Sequence, residues 1–169
     1  PAENMAARSS RDHVPYDAWA REGFLTATSG DVVDYGAVAG ALTDMARDYD
    51  VQYYCADPWR LEYLKQLMPD ALQERFVEIP QGISGMSCGM QELDRMFRAG
   101  EISHPFNPLG RWAFGNTVVA VDGNGNIKPM KNKSLERIDP TVALINAMAG
   151  AIRLEPRHSI YESRGLRVV

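Results

Sequence analysis

A chain of 169 residues with 18 basic and 22 acidic side chains, net charge −4 and 45% hydrophobic content suits one globular domain with a real core. That balance excludes wholesale disorder, and no apolar run approaches the roughly 20 residues that cross a bilayer, so no membrane partner is expected. Two cysteines, Cys55 and Cys88, without CxxC spacing exclude a disulfide framework or zinc ribbon and fit a reducing compartment.

The net charge hides a split. Residues 1–100 carry 9 basic and 16 acidic side chains (net −7), whereas residues 101–169 carry 9 basic and 6 acidic (net +3). The excess gathers in Lys128, Lys131, Lys133 and Arg137, and again in Arg153, Arg157, Arg164 and Arg167. A polyanion would meet the second half, although from charge alone a solvated basic face is the simpler reading.

In chain order, residues 1–15 read as an arm or linker, because the first dozen are polar and lack a hydrophobic period. A short helix is expected around Asp17–Arg21, with Tyr16, Trp19, Phe24 and Leu25 available for burial. Thr28–Asp31 is a turn and Val32-Val33 a brief extended step. Asp34 is placed to cap a helix to about Tyr49, since Val38, Leu42, Met45 and Tyr49 recur every three or four residues. Val51–Ala56 is β-branched, aromatic and nearly uninterrupted, which predicts a buried strand ending at Asp57-Pro58.

Trp59–Met68 reads as a helix closed by Pro69, and Phe76–Ile79 as a second strand. Ser87 is placed to cap a helix to Ala99, with Gly100 at its stop. Ile102 belongs to a short extended piece, and Leu109–Phe114 to a helix. Val118–Val121 and Ile127–Met130 flank a hairpin turn, Asp122–Asn126. Asp139-Pro140 opens an apolar helix, Thr141–Leu154, and residues 155–169 form an arginine-rich tail. Strands alternating with helices, then a hairpin, give an α/β class with a mixed sheet.

Two acids stand out. Asp57 follows a buried strand, and ligands bind at the strand ends of open α/β sheets, although an Asp there can simply start the next helix. Asp139 before Pro140 is, taken alone, an ordinary helix start. A helix apolar nearly all round would pack on the sheet and carry Asp139 to its rim. Two carboxylates at one rim repel unless cations lie between them, and hard divalent ions take such oxygens. With Lys128–Arg137 just upstream to hold phosphates, the set resembles a two-metal phosphodiester site. Other signals are weaker. His104 and His13 lack a partner at ligand spacing, and the glycines of the hairpin lack GK[ST]. Cys55 reads as inert packing, and Trp59, Trp112 and Tyr53 as core, with Trp59 and Arg60 close enough to Asp57 to touch a substrate.

The blocks WAREGFLTATSGDVVDYGAV, YYCADPWR, GMSCGMQELDRMFRAGEISHPFNPLGRWAFGN and GNIKPMKNKSLERIDPTVALINAMA, in this order, resemble the nuclease domain of tailed-phage large terminases. The resemblance runs from about Tyr16 to Leu154 and places the nuclease domain at 16–154. It implies a ribonuclease-H-like mixed β-sheet flanked by helices, cutting concatemeric double-stranded DNA with two Mg2+ or Mn2+ ions. It places the metal-binding, catalytic acids at Asp57 and Asp139, and DNA contacts at Lys131 and Lys133, with Arg60 and Arg137 added as phosphate contacts. His104 and Asn116 match its supporting polar positions. Implied partners are the terminase ATPase domain, the small terminase subunit and the portal protein, in the host bacterial cytoplasm.

In that family a first strand carries a further metal-binding Asp, and Pro1 aligns just after it. Asp12, Asp17, Asp31 and Asp34 are no substitutes, since none ends an apolar strand, and no Walker A motif is present. The sequence is therefore expected to carry two of the acids, and an incomplete domain. A non-catalytic prophage remnant or docking module is one alternative. A different ribonuclease-H-like nuclease, such as a junction resolvase, is another.

Overall fold

The structure, a computed structural model, describes residues 1–134 and 136–154; the expected tail, 155–169, lies outside them. Its centre is a pair of parallel strands, β1 (Tyr54–Ala56) and β2 (Phe76–Glu78), with Tyr54 opposite Phe76 and Ala56 opposite Glu78. Before them runs helix α3 (Tyr35–Asp48), capped as expected by Asp34, whose carboxylate accepts from the Gly36 amide at 2.8 Å. Its Ala39 packs in a small core with Tyr54 and Met68, and the Tyr54 hydroxyl donates to the Leu42 carbonyl at 2.8 Å.

β1 is shorter than the apolar run predicts. β2 offers only three residues to pair with, and the Arg75 guanidinium donates to the Val51 carbonyl at 2.6 Å in place of a ladder. Tyr53 is exposed as a result, and so is Trp59, both expected in the core. The crossover from β1 to β2 holds two short helices, α4 (Leu61–Gln66) and α5 (Asp70–Gln73). α4 starts two residues later than predicted, because Pro58 precedes it and Arg60 takes a left-handed φ of 60°.

Helix α6 (Ile83–Ala99) ends as expected at Gly100, with φ 69°, but begins four residues before Ser87. Ser87 is buried inside the helix, where its Oγ accepts from the Ile127 amide at 3.1 Å and so pins the hairpin. That hairpin pairs β3 (Val119–Val121) antiparallel with β4 (Ile127–Pro129) around a turn ordered by Asp122. Among the described residues the expected mixed sheet is thus divided into one parallel and one antiparallel pair, because β4 packs on α6 instead of extending β1–β2. No strand forms at Val32-Val33 or Ile102.

Residues expected as an arm carry helix α1 (Met5–Asp12), which half-buries only Met5, Ser9 and Asp12, and with one apolar residue among the three its inner face shows no hydrophobic period. Helix α2 (Tyr16–Arg21) sets Trp19 against Trp112 of α7 (Pro108–Gly115), their rings 5.8 Å apart.

Helix α8 (Asp139–Leu154) lies against α6 and across β1. Met86, Leu93, Ile138, Val142 and Ile145 form the larger core between the two helices. Two glycines allow the approach. At Gly150 a Cβ would collide with the Cys55 sulfur, and burial in that contact pushes the Cys55 thiol up in pKa, in keeping with inert packing. At Gly89 a Cβ would stand 2.6 Å from the Ile145 carbonyl oxygen and 2.8 Å from the Ala149 nitrogen, both backbone atoms that cannot rotate away. Gly89→Ala is therefore expected to destabilise by about 1–3 kcal/mol through overpacking. Better helix propensity offsets up to about 1 kcal/mol of that. Gly40→Ala in α3, where the added methyl meets open space, should stabilise instead. Thermal melting of the two variants checks the contrast.

Candidate functional site

Because β1 and β2 are parallel, their carboxyl ends open at one edge. Asp57 follows β1 directly, and Gln81 follows β2 after Ile79 and Pro80. Both line a cleft of about 360 Å³ whose far wall, from β4 and the turn after it, brings Lys128, Lys131 and Asn132. Asp57 is exposed, and its Oδ1 accepts from the Trp59 amide at 3.0 Å, a local turn that Pro58 enforces.

Asp139 is the first residue of α8, so its carboxylate lies at the favourable end of the helix dipole. Its hydrogen bond comes from the Lys131 ammonium, 3.0 Å away. One lysine thus lines the cleft of Asp57 and holds Asp139. Both partners of this pair are more than half exposed, so the pair itself stabilises little and can exchange for another ligand.

The remaining candidates are spread more widely. Lys133 is exposed in the same turn, its amide bound to the Met130 carbonyl. Arg137 lines a second cavity, of about 440 Å³, together with Asp139, Asp12 and Tyr16. Arg60, turned by its positive φ, faces a cavity of about 750 Å³ with Arg8 and Asp31. His104 lies in a further cavity, of about 600 Å³, its Nδ1 3.1 Å from the Pro105 carbonyl. Asn116 ends α7, with its side-chain Nδ2 buried and unpartnered among the described residues. Sequence reasoning passed over Gln81 and gave Lys128 and Asn132 no role beyond membership of the phosphate-holding stretch Lys128–Arg137. Gln81 carried a usable signal, since it too follows a strand end.

No three His, Cys, Asp or Glu side chains gather into a metal-holding group among the described residues. Residues 1–155 match the family described as terminase large subunit, endonuclease domain. The chain belongs to that family.

Among its relatives, the large terminase subunit of Enterobacteria phage HK97 is 32% identical over 152 residues, covering 89% of this chain and 30% of that protein. Protein YmfN of Escherichia coli K12 is 31% identical over 157 residues, covering 90% of this chain and 34% of that protein. The crystal structure of the HK97 large terminase superposes with a TM-score of 0.82 at 32% identity, over 88% of this chain and 31% of that one. The chain thus spans about a third of the length of these relatives. The terminase nuclease domain is ribonuclease-H-like, and the parallel pair β1–β2 with α8 packed across it is that fold here. No helix among the described residues is long and apolar enough to cross a membrane.

Proposed function

We propose that this terminase domain hydrolyses phosphodiester bonds of concatemeric double-stranded DNA during phage genome packaging, with Mg2+ or Mn2+ bound at the Asp57–Asp139 edge. The observation that carries this reading is the lysine bridge. Lys131 lines the cleft of Asp57 while its ammonium bonds Asp139, which itself lines the neighbouring cavity, so one cation links the two acids.

Asp57 and Asp139 supply carboxylate oxygens of the kind hard cations take, and magnesium sites commonly use one or two carboxylates beside water and substrate phosphate. The residues fit such a partial set. A full two-ion site needs donors beyond them, given the lack of a three-ligand group among the described residues. Bound ions of this kind activate water and steady the leaving oxygen.

The chain's own residues do the rest. Lys131 and Lys133 meet backbone phosphates, with Arg137 and Arg60 as further phosphate contacts from the separate cavities they line; such binding is sequence-independent and salt-sensitive. His104, packed edge-on against Phe97, and Asn116 at the end of α7 support the walls around α8. Hydrolysis divides one water between the products: its oxygen joins phosphorus, the ester P–O bond breaks, and one proton ends on the leaving oxygen. We assign the arm at 1–15, the nuclease unit at 16–154 and the tail at 155–169 as its working parts. The ATPase domain, the small terminase subunit and the portal are its partners, in the host bacterial cytoplasm.

Plasmid nicking in manganese tests the reading: the wild-type protein cuts, and Asp57→Asn reduces cutting to background. The second reading, a docking module without cleavage, predicts instead that the wild-type protein leaves plasmid intact in every divalent metal.

A further inference from the structure

Gln81 stands in the cleft opposite the lysines, and its amide is fixed in an unusual way. Its Nε2 donates to the Ile79 carbonyl at 2.7 Å and to Asn146 Oδ1 at 3.2 Å. A carbonyl can only accept, so the atom facing Ile79 must be the nitrogen, and the orientation of the carboxamide follows without ambiguity. With both N–H groups engaged, Oε1 is left as an acceptor, and it takes no hydrogen bond from any described residue.

Asn146 is the second observation. It is 4% exposed on the face of α8 that otherwise buries Val142, Ile145 and Ala149. A polar side chain in such a place is costly unless paired, and a leucine would pack there without that penalty. The partner it has is Gln81, which reaches the cleft.

We infer that Gln81 holds the attacking water by accepting its hydrogen bond at Oε1, and that Asn146 is the positioning residue that fixes this amide. The inference rests on the hydrolytic reading of the cleft. A carboxamide does not titrate near neutrality, so Gln81 orients the water and takes no proton. The water's oxygen bonds to phosphorus as the ester P–O bond breaks, one proton passes to the leaving oxygen, the other stays with the phosphate, and Gln81 ends unchanged.

The test uses the full-length protein, plasmid nicking in manganese, DNA binding by fluorescence anisotropy and thermal melting. Gln81→Met and Gln81→Ala are expected to lower kcat roughly 10- to 100-fold through misplacement of the nucleophile. KM and DNA binding should stay within about twofold, because a contact to water alone adds nothing to ground-state DNA affinity. Asn146→Leu and Asn146→Ala should lower kcat with the same split, and adding either to Gln81→Ala should slow it no further. Wild-type kcat in both Gln81 variants, beside an inactive Asp57→Asn, overturns this inference and leaves the hydrolytic reading standing. A raised KM with unchanged kcat overturns it too, making Gln81 a DNA contact. An additive loss in the double variants shows that Asn146 acts by another route and overturns its role. Cleavage by Asp57→Asn at the wild-type rate overturns the reading of the cleft itself.

Discussion

Asp139→Asn is expected to abolish manganese-dependent nicking while leaving the domain folded. Asn has nearly the shape of Asp and lacks its charge, so the change isolates electrostatics. The stability side of the balance is small: Asp139 is exposed, its ion pair with Lys131 is exposed, and such pairs contribute about 0–1 kcal/mol. Thermal melting should therefore shift by no more than about 4 °C, the displacement such an energy produces in a domain of this size. The activity side is large. Loss of groups that merely orient the ligands of a metal site costs roughly 10- to 100-fold, and loss of a ligand's own charge should exceed that. The measurement is initial nicking rate against manganese concentration for wild-type and variant proteins at matched folded fraction. Unchanged cleavage in Asp139→Asn would remove this residue from the site and with it the two-carboxylate reading.

Asp57 and Asp139 were visible in the sequence because each follows or opens an element with a strong apolar signature. Asp57 ends the run Val51–Ala56, and Asp139 opens the run Thr141–Leu154; the structure puts one beside the parallel edge and the other at the start of α8. Arg60 shows the limit of that reasoning. It is three residues from Asp57, yet a left-handed backbone turns it to a different cavity, and nothing in the order Asp-Pro-Trp-Arg announces a positive φ. The start of α6 was misplaced because Ser87 looks like a cap. In the folded chain its hydroxyl serves the hairpin amide of Ile127, forty residues away, a partner invisible to local pattern. Asn146 was hidden in the same way. It interrupts an otherwise apolar run, and only the fold reveals that it faces Gln81 across sixty-five residues. Local chemistry thus marked where the two candidate acids stand, while the long-range polar contacts that shape the cleft appear only in the folded chain.

Ile145→Ala should have the opposite signature to Asp139→Asn, a large loss of stability with the chemistry preserved. Ile145 is 1% exposed and packs among Met86, Leu93, Ile138 and Val142 in the seam between α6 and α8. Truncating a buried Ile to Ala costs about 2–5 kcal/mol, the transfer term plus the cavity left behind. The upper part of that range applies here, because Gly89 already lets the two backbones touch and leaves the helices little room to collapse into the void. At roughly 2–4 °C per kcal/mol the midpoint should fall by about 5–20 °C. Ile145 lies six residues along α8 from Asp139, nearly two turns, and stands behind Met86 and Val142 without itself lining the cleft of Asp57. At low temperature, where the variant is still folded, kcat should therefore remain within about threefold of wild type, as expected for a change that acts on stability alone. Denaturant melting and nicking rates measured at several temperatures separate the two effects. A kcat that drops while the variant is fully folded would mean that the α6–α8 seam sets the position of Asp139 as well as holding the domain together, and the carboxylate's geometry would then depend on core packing nearly two turns away.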